Sequence, residues 1–145
     1  MTTEFADFVA QQDARNAIEL NITKYCWELC DHLLEDYINH SKKRLMTMDS
    51  PYAQERLAKL NEGECDFSFE VDSSGRKYHK IWEVDNRTYG GRSCHAFINK
   101  KTGEVFKPAS YKAPAKIARY NLNIISSREE CFSRADWAGA YLYLR

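Results

Sequence analysis

The chain has 145 residues, of which 43% are hydrophobic and 29% charged. That fits one ordinary domain with a core of normal size. It excludes a disordered, collagenous or lipid-facing chain and leaves no room for a two-domain enzyme. The formal net charge of zero hides a polarity: residues 1–72 carry 7 Lys+Arg against 15 Asp+Glu, and residues 73–145 carry 14 against 6.

The first third reads as helix. Ile18, Ile22, Cys26, Leu29, Leu33 and Tyr37 recur three and four residues apart, and Trp27, Cys30, Leu34 and Ile38 widen the stripe. No Gly or Pro occurs before Pro51, so a helix over 15–46 is expected, preceded by a shorter segment over 4–12. Asp49-Ser50-Pro51 starts a second helix over 51–60, with Gly63 as its terminator. At Asp66 the period changes to two: Phe67, Phe69 and Val71 alternate with polar residues. A turn at Ser73-Ser74-Gly75 leads to a strand over 78–84, and 86–93 read as a loop. Strands over 94–99 and 104–107 flank Lys100-Lys101-Thr102-Gly103 as a second hairpin. Residues 108–121 read as a structured loop or a short helix after Pro114. Ser126 and Glu129 have capping-box spacing for a last helix to about Ala135, and 141–144 read as a closing strand. The expected class is α+β. It consists of a long N-terminal helix and a second helix, an antiparallel sheet of two hairpins, and a short C-terminal helix. Residues 1–145 form a single domain, with 1–63 helical and 64–145 holding the sheet and last helix.

Five cysteines, an odd number without framework spacing, and a first decapeptide (MTTEFADFVA) unlike a signal peptide point to reduced thiols in the cytoplasm. No stretch approaches the roughly 18–20 apolar residues of a membrane span. Cys26 and Cys30 lie on the apolar stripe of a helix, where thiols fill a core, so no metal is expected. Cys94 and His95 are adjacent on a strand and point to opposite faces, so they do not form a nucleophile–base pair. No cofactor fingerprint and no legible acid–base pair support an enzyme, and neither cofactor nor catalytic residue is assigned.

The basic half holds the candidate site. Eleven of its cations fall in 73–119, against three acids. Lys107, Lys112, Lys116 and Arg119 are interleaved with Tyr111, Tyr120 and small alanines in a tract stiffened by Pro108 and Pro114. Cations beside an aromatic plane suit a nucleotide or a single strand. Tyr89-Gly90-Gly91-Arg92 reads as a tight turn, and Arg87 and Arg92, which flank its glycines, together with Tyr89 can grip a phosphorylated ligand. The plainer reading is a solvated loop that balances the acidic helices.

These residues also carry a resemblance. The stretch HAFINKKTGEVFKPASYKAPAKIARYN, residues 95–121, together with the ending ADWAGAYLYLR, resembles a group of small tailed-phage proteins. Their signature holds Phe97, Thr102, Gly103, Val105, Lys107, Pro108, Ala109, Ser110, Lys112, Pro114, Ala115, Lys116, Arg119 and Asn121 of this chain. The motif is also similar to one in phage anti-Thoeris proteins, which sequester nucleotide signals of bacterial immunity. The resemblance implies a phage protein acting in the host cytoplasm, with a small phosphorylated nucleotide as partner. Ser110 and Asn121 join Lys107, Tyr111, Lys112, Lys116, Arg119, Tyr89 and Arg92 as ligand-binding candidates. Nucleic-acid binding and docking on a host or phage protein are the alternatives. The wide stripe of the long helix further suggests a homo-oligomer.

Overall fold

The computed structural model describes residues 3–87 and 91–144. One helix, α1 (Thr3–Met46), runs without a break. The separate short segment expected over 4–12 is part of it, because nothing in that stretch interrupts helical hydrogen bonding. Ile22, Cys26, Leu29, Leu33, Tyr37 and Leu45 are buried along one stripe, so the N-terminal part of α1 lies outside the core.

Helix α2 (Pro51–Asn61) folds back on α1. The Ser50 Oγ accepts from the Ala53 amide at 3.1 Å, and Pro51 occupies the first turn. Its end is a Schellman turn: Gly63 takes φ +86° and the Glu64 amide donates to the Lys59 carbonyl at 2.9 Å. Leu45, Ala53 and Leu60 form a small apolar cluster between the two helices, and Arg56 pairs with Asp66 at the entry to the sheet.

The sheet is an antiparallel meander in the order β1-β2-β3-β4-β5. Its strands are β1 (Phe67–Asp72), β2 (Tyr78–Asp85), β3 (Gly91–Asn99), β4 (Glu104–Phe106) and β5 (Tyr120–Asn121). Phe69, Ile81, Ala96, Ile98 and Val105 meet the stripe of α1 in the main core. By alternation, Asp72, Tyr78, Lys80, Trp82, Phe97 and Phe106 lie on the far face.

The register shifts at Ile81/Trp82, where Ile81 pairs with Ala96 but Trp82 pairs with Cys94. His95 is therefore the extra residue of a bulge. On β3, β4 pairs with Phe97 and Ile98 alone, so the first part of β3 has no strand on that side among the described residues.

Several expectations are corrected. Strand β3 begins at Gly91, inside the stretch read as a loop. Of the two readings of residues 108–121 the structured loop holds and the short helix does not, because the Ala115 and Arg119 amides donate to the carbonyls of Lys107 and Val105, both at 2.7 Å, instead of to a helical turn. A fifth strand follows from that return of the chain. Helix α3 (Ile125–Arg134) starts a residue before Ser126, with Ile124 at the cap position and no side-chain cap. Ser127 instead accepts from the Asn121 amide at 2.7 Å. The expected closing strand is a 3-10 turn, Ala140–Leu142, held by the Asp136 carboxylate, which accepts from the amides of Ala140 and Tyr141. The Trp137 amide donates to Asp36 at 3.0 Å and ties this ending to α1.

Candidate functional site

The tract after β4 closes on itself. Pro108 bridges Pro114, the Ala109 and Ser110 amides donate to the Ala113 carbonyl, and Ser110 Oγ accepts from the Lys112 amide at 3.2 Å. These bonds present residues 110–113 as an exposed tip over the far face of the sheet. Lys80 anchors the tip from below by donating from Nζ to the Tyr111 carbonyl at 2.8 Å.

Under the tip lies a layered arrangement of rings and cations. Trp82 is 7% exposed, and its indole N–H donates to Asp72 at 3.2 Å. Hydrogen bonds from Ser74, and then from Trp82, hold the Asp72 carboxyl down at about 2, so it stays ionised. The Arg92 guanidinium stacks 4.3 Å from the centre of the Trp82 ring, and the Lys80 ammonium sits 5.7 Å from it. Tyr111 is 60% exposed, with Lys112 Nζ 5.5 Å from its ring centre. Trp82, Arg92, Ser93, Cys94, Pro108, Ser110 and Tyr111 enclose an open cleft of about 560 Å³. That volume falls in the range of small-molecule sites. Arg92 has no acidic partner among the described residues. The Cys94 thiol is pushed up to about 11 by burial and stays protonated at neutral pH.

The structure divides the expected site residues. Arg92, Ser110 and Tyr111 line this cleft, and Lys112 stands beside it. Lys107 lines a smaller adjoining cavity, its Nζ 4.8 Å from the centre of the Tyr143 ring. Arg119 lies in a third hollow, where Nε donates to the Leu142 carbonyl at 2.6 Å and Nη1 to that of Ile117. It clasps the C-terminal turn. Asn121 is occupied locally, its Oδ1 accepting from the Asn123 amide at 2.8 Å. Lys116 is exposed, and Tyr89 lies outside the described residues. The four cations of the tract thus do not share one concavity.

Sequence reasoning missed Trp82, Lys80 and Asp72. Their signal was the alternation Tyr78-x-Lys80-x-Trp82 on one strand, aromatic and cationic on a single face. The tract that covers them could not be placed from sequence.

Fold and site together define an α+β protein whose meander sheet is backed by a long helix and bears an aromatic–cationic cleft on its far side. Residues 5–144 match the model of a family of unknown function (DUF7717), and the chain belongs to that family. No curated protein and no solved structure matches it. Among the described residues there is no cluster of metal-ligating side chains, and no helix is long and apolar enough to cross a membrane.

Proposed function

We propose that the chain binds a phosphorylated nucleotide in the Trp82–Arg92–Tyr111 cleft and holds it without reaction. The carrying observation is Arg92: a guanidinium fixed on an indole face, without an acidic partner, beside an exposed tyrosine ring. A guanidinium so placed can donate two parallel bonds to a phosphate, while Tyr111 offers a plane to a base and Ser110 a hydroxyl. Lys80 and Lys112 add positive potential. The protonated Cys94 thiol supports binding without nucleophilic chemistry. The resemblance of residues 95–121 to phage nucleotide-sponge proteins supports a role in sequestering a signal of host defence in the host cytoplasm. The five free thiols suit that reducing compartment.

The test is calorimetric titration with the four common ribonucleoside diphosphates. At least one binds saturably, and Arg92→Ala weakens it about tenfold or more, since charge-assisted bonds contribute on the order of 1.5–3 kcal/mol. Lys101→Ala, at an exposed hairpin tip, leaves binding unchanged. Absence of saturable binding, or equal small losses in both variants, overturns the proposal. Preference for a single-stranded oligonucleotide, with a log–log salt slope of about −2 for three phosphate contacts, transfers the cleft to nucleic-acid binding.

A further inference from the structure

A second cavity adjoins the cleft across Pro108. It measures about 190 Å³ and shares Ser93, Cys94 and Pro108 with its neighbour. The bulge in β3 creates it: Glu83 pairs with Ser93, and the extra residue His95 is turned to the same side, the side of the core. There His95 meets the edge of Phe69, and its Nε2 lies 2.8 Å from the Tyr141 hydroxyl. Lys107 stands at the rim, and Gly139, Leu142 and Tyr143 close the far wall. Gly139 takes φ +85°, which turns the chain tightly over the imidazole.

The polar groups of this cavity differ in kind from those of the cleft. Glu83 presents a half-buried carboxylate with no hydrogen bond or ion pair among the described residues. Burial, and then the charge of Asp85, raise its pKa; burial also lowers His95 to about 4, so the imidazole is neutral at neutral pH. A phosphate placed here, an acceptor at neutral pH, has no hydrogen to donate to the Glu83 carboxyl oxygens. A group with hydroxyl donors would instead satisfy the carboxylate's open acceptor sites. The volume equals that of roughly six waters at about 30 Å³ each, the scale of a pentose ring.

Building on the nucleotide reading of the cleft, we infer that the Glu83–His95–Lys107 cavity is its sugar subsite. It takes the ribose hydroxyls of a ribonucleotide, with Glu83 accepting from them, while the phosphate stays across Pro108 in the cleft, on Arg92. The ligand class is therefore a ribonucleotide with free 2′ and 3′ hydroxyls. The cleft alone would accept a nucleotide of either sugar.

Each of the four ribonucleoside diphosphates is titrated against its 2′,3′-dideoxy counterpart, on the unaltered chain and on Glu83→Gln. The unaltered chain prefers the ribo form about tenfold or more, in line with a hydrogen bond to a charged group. Glu83→Gln loses most of that preference, read as the ratio of ribo to dideoxy affinity. Ribo and dideoxy forms binding equally to the unaltered chain overturns the sugar subsite while sparing the nucleotide reading, and this arm needs no variant to fold. A Glu83→Gln chain that keeps the full ribo preference also overturns it. No binding of any of the eight ligands removes both readings.

Discussion

His95 shows how much one buried side chain can couple this fold to pH. It is 7% exposed, stacked 5.6 Å from Tyr141 and edge-on to Phe69, and burial lowers its pKa from 6.5 to about 4. In the unfolded chain the ring protonates near its ordinary value. Between pH 6.5 and 4 the unfolded state therefore binds more protons than the native state, and stability falls as the pH falls through that window. The drop from pH 7 to 5 amounts to about 2 kcal/mol, with each unit of pKa difference contributing about 1.4 kcal/mol. His79, also lowered by burial and then by Lys100, adds in the same direction. Asp72 acts in a different range: its depressed pKa contributes stability that is lost only below about pH 4. Urea titrations at pH 7 and 5 on the unaltered chain and on His95→Phe should show a smaller pH difference in the variant. Equal differences in the two would mean that the buried imidazole is not what the acid limb reports.

The turns between elements carry the next level of constraint, and two glycines separate its causes. Gly63 and Gly103 both adopt positive φ, +86° and +82°. A Cβ at Gly63 would meet nothing within 4 Å, whereas one at Gly103 would lie 2.9 Å from the Asn123 backbone nitrogen, where the chain passes after β5. Gly63→Ala should therefore cost only the left-handed backbone term, about 1 kcal/mol. Gly103→Ala should cost that and the displacement of a neighbouring backbone, more than about 2 kcal/mol in total, read from denaturation midpoints. Equal losses would show that the approach of Asn123 is not a constraint.

The same distinction explains what the sequence let through. The stripe Ile22–Cys26–Leu29–Leu33–Tyr37 and the alternation Phe67–Phe69–Val71 are local periodicities: the stripe and Phe69 are buried and Phe67 and Val71 pack half-buried against them, whereas Ile18, read as the first member of the stripe, is exposed. Ser126 and Glu129 had the local spacing of a cap, yet a longer-range bond, Ser127 to Asn121, set where α3 begins. Arg92 and Tyr111, which line the candidate cleft, were legible as candidates because chemistry marks them, and Ser110 through the resemblance. Trp82, Glu83 and His95 were not, because their placement depends on the β2–β3 register and a bulge, which local pattern does not encode.

At the scale of the molecule, the two halves of the sequence become two sides of one body. The helical part holds the acidic excess, and the part from residue 73 onward holds the basic one, with Lys80, Arg92 and Lys112 at the far-face cleft. The sheet does not cover the whole helix. The hairpin tip at Lys101 reaches Gln12, Arg15 and Ile18, and the residues from Glu4 to Gln11 extend beyond it with Phe8 and Val9 exposed. Trp27 is exposed on the helix as well, whereas Leu34 and Ile38, which the sequence placed at the edge of the stripe, pack against the core. The arm from Glu4 to Glu19 carries Glu4, Asp7, Asp13 and Glu19 against Arg15 alone, so it is charge-complementary to the basic face of a second copy. Self-association by that contact is the expected outcome. Sedimentation at tens of micromolar should show a dimer at low ionic strength that dissociates as salt approaches about 1 M, where the screening length is about 3 Å. Replacing Phe8 and Val9 together with serine should weaken it without changing the unfolding midpoint measured in dilute solution, because both lie outside the core. A monomer at low salt, or a dimer that salt strengthens, would remove the electrostatic pairing; the latter would place the contact on apolar surface such as Trp27 instead.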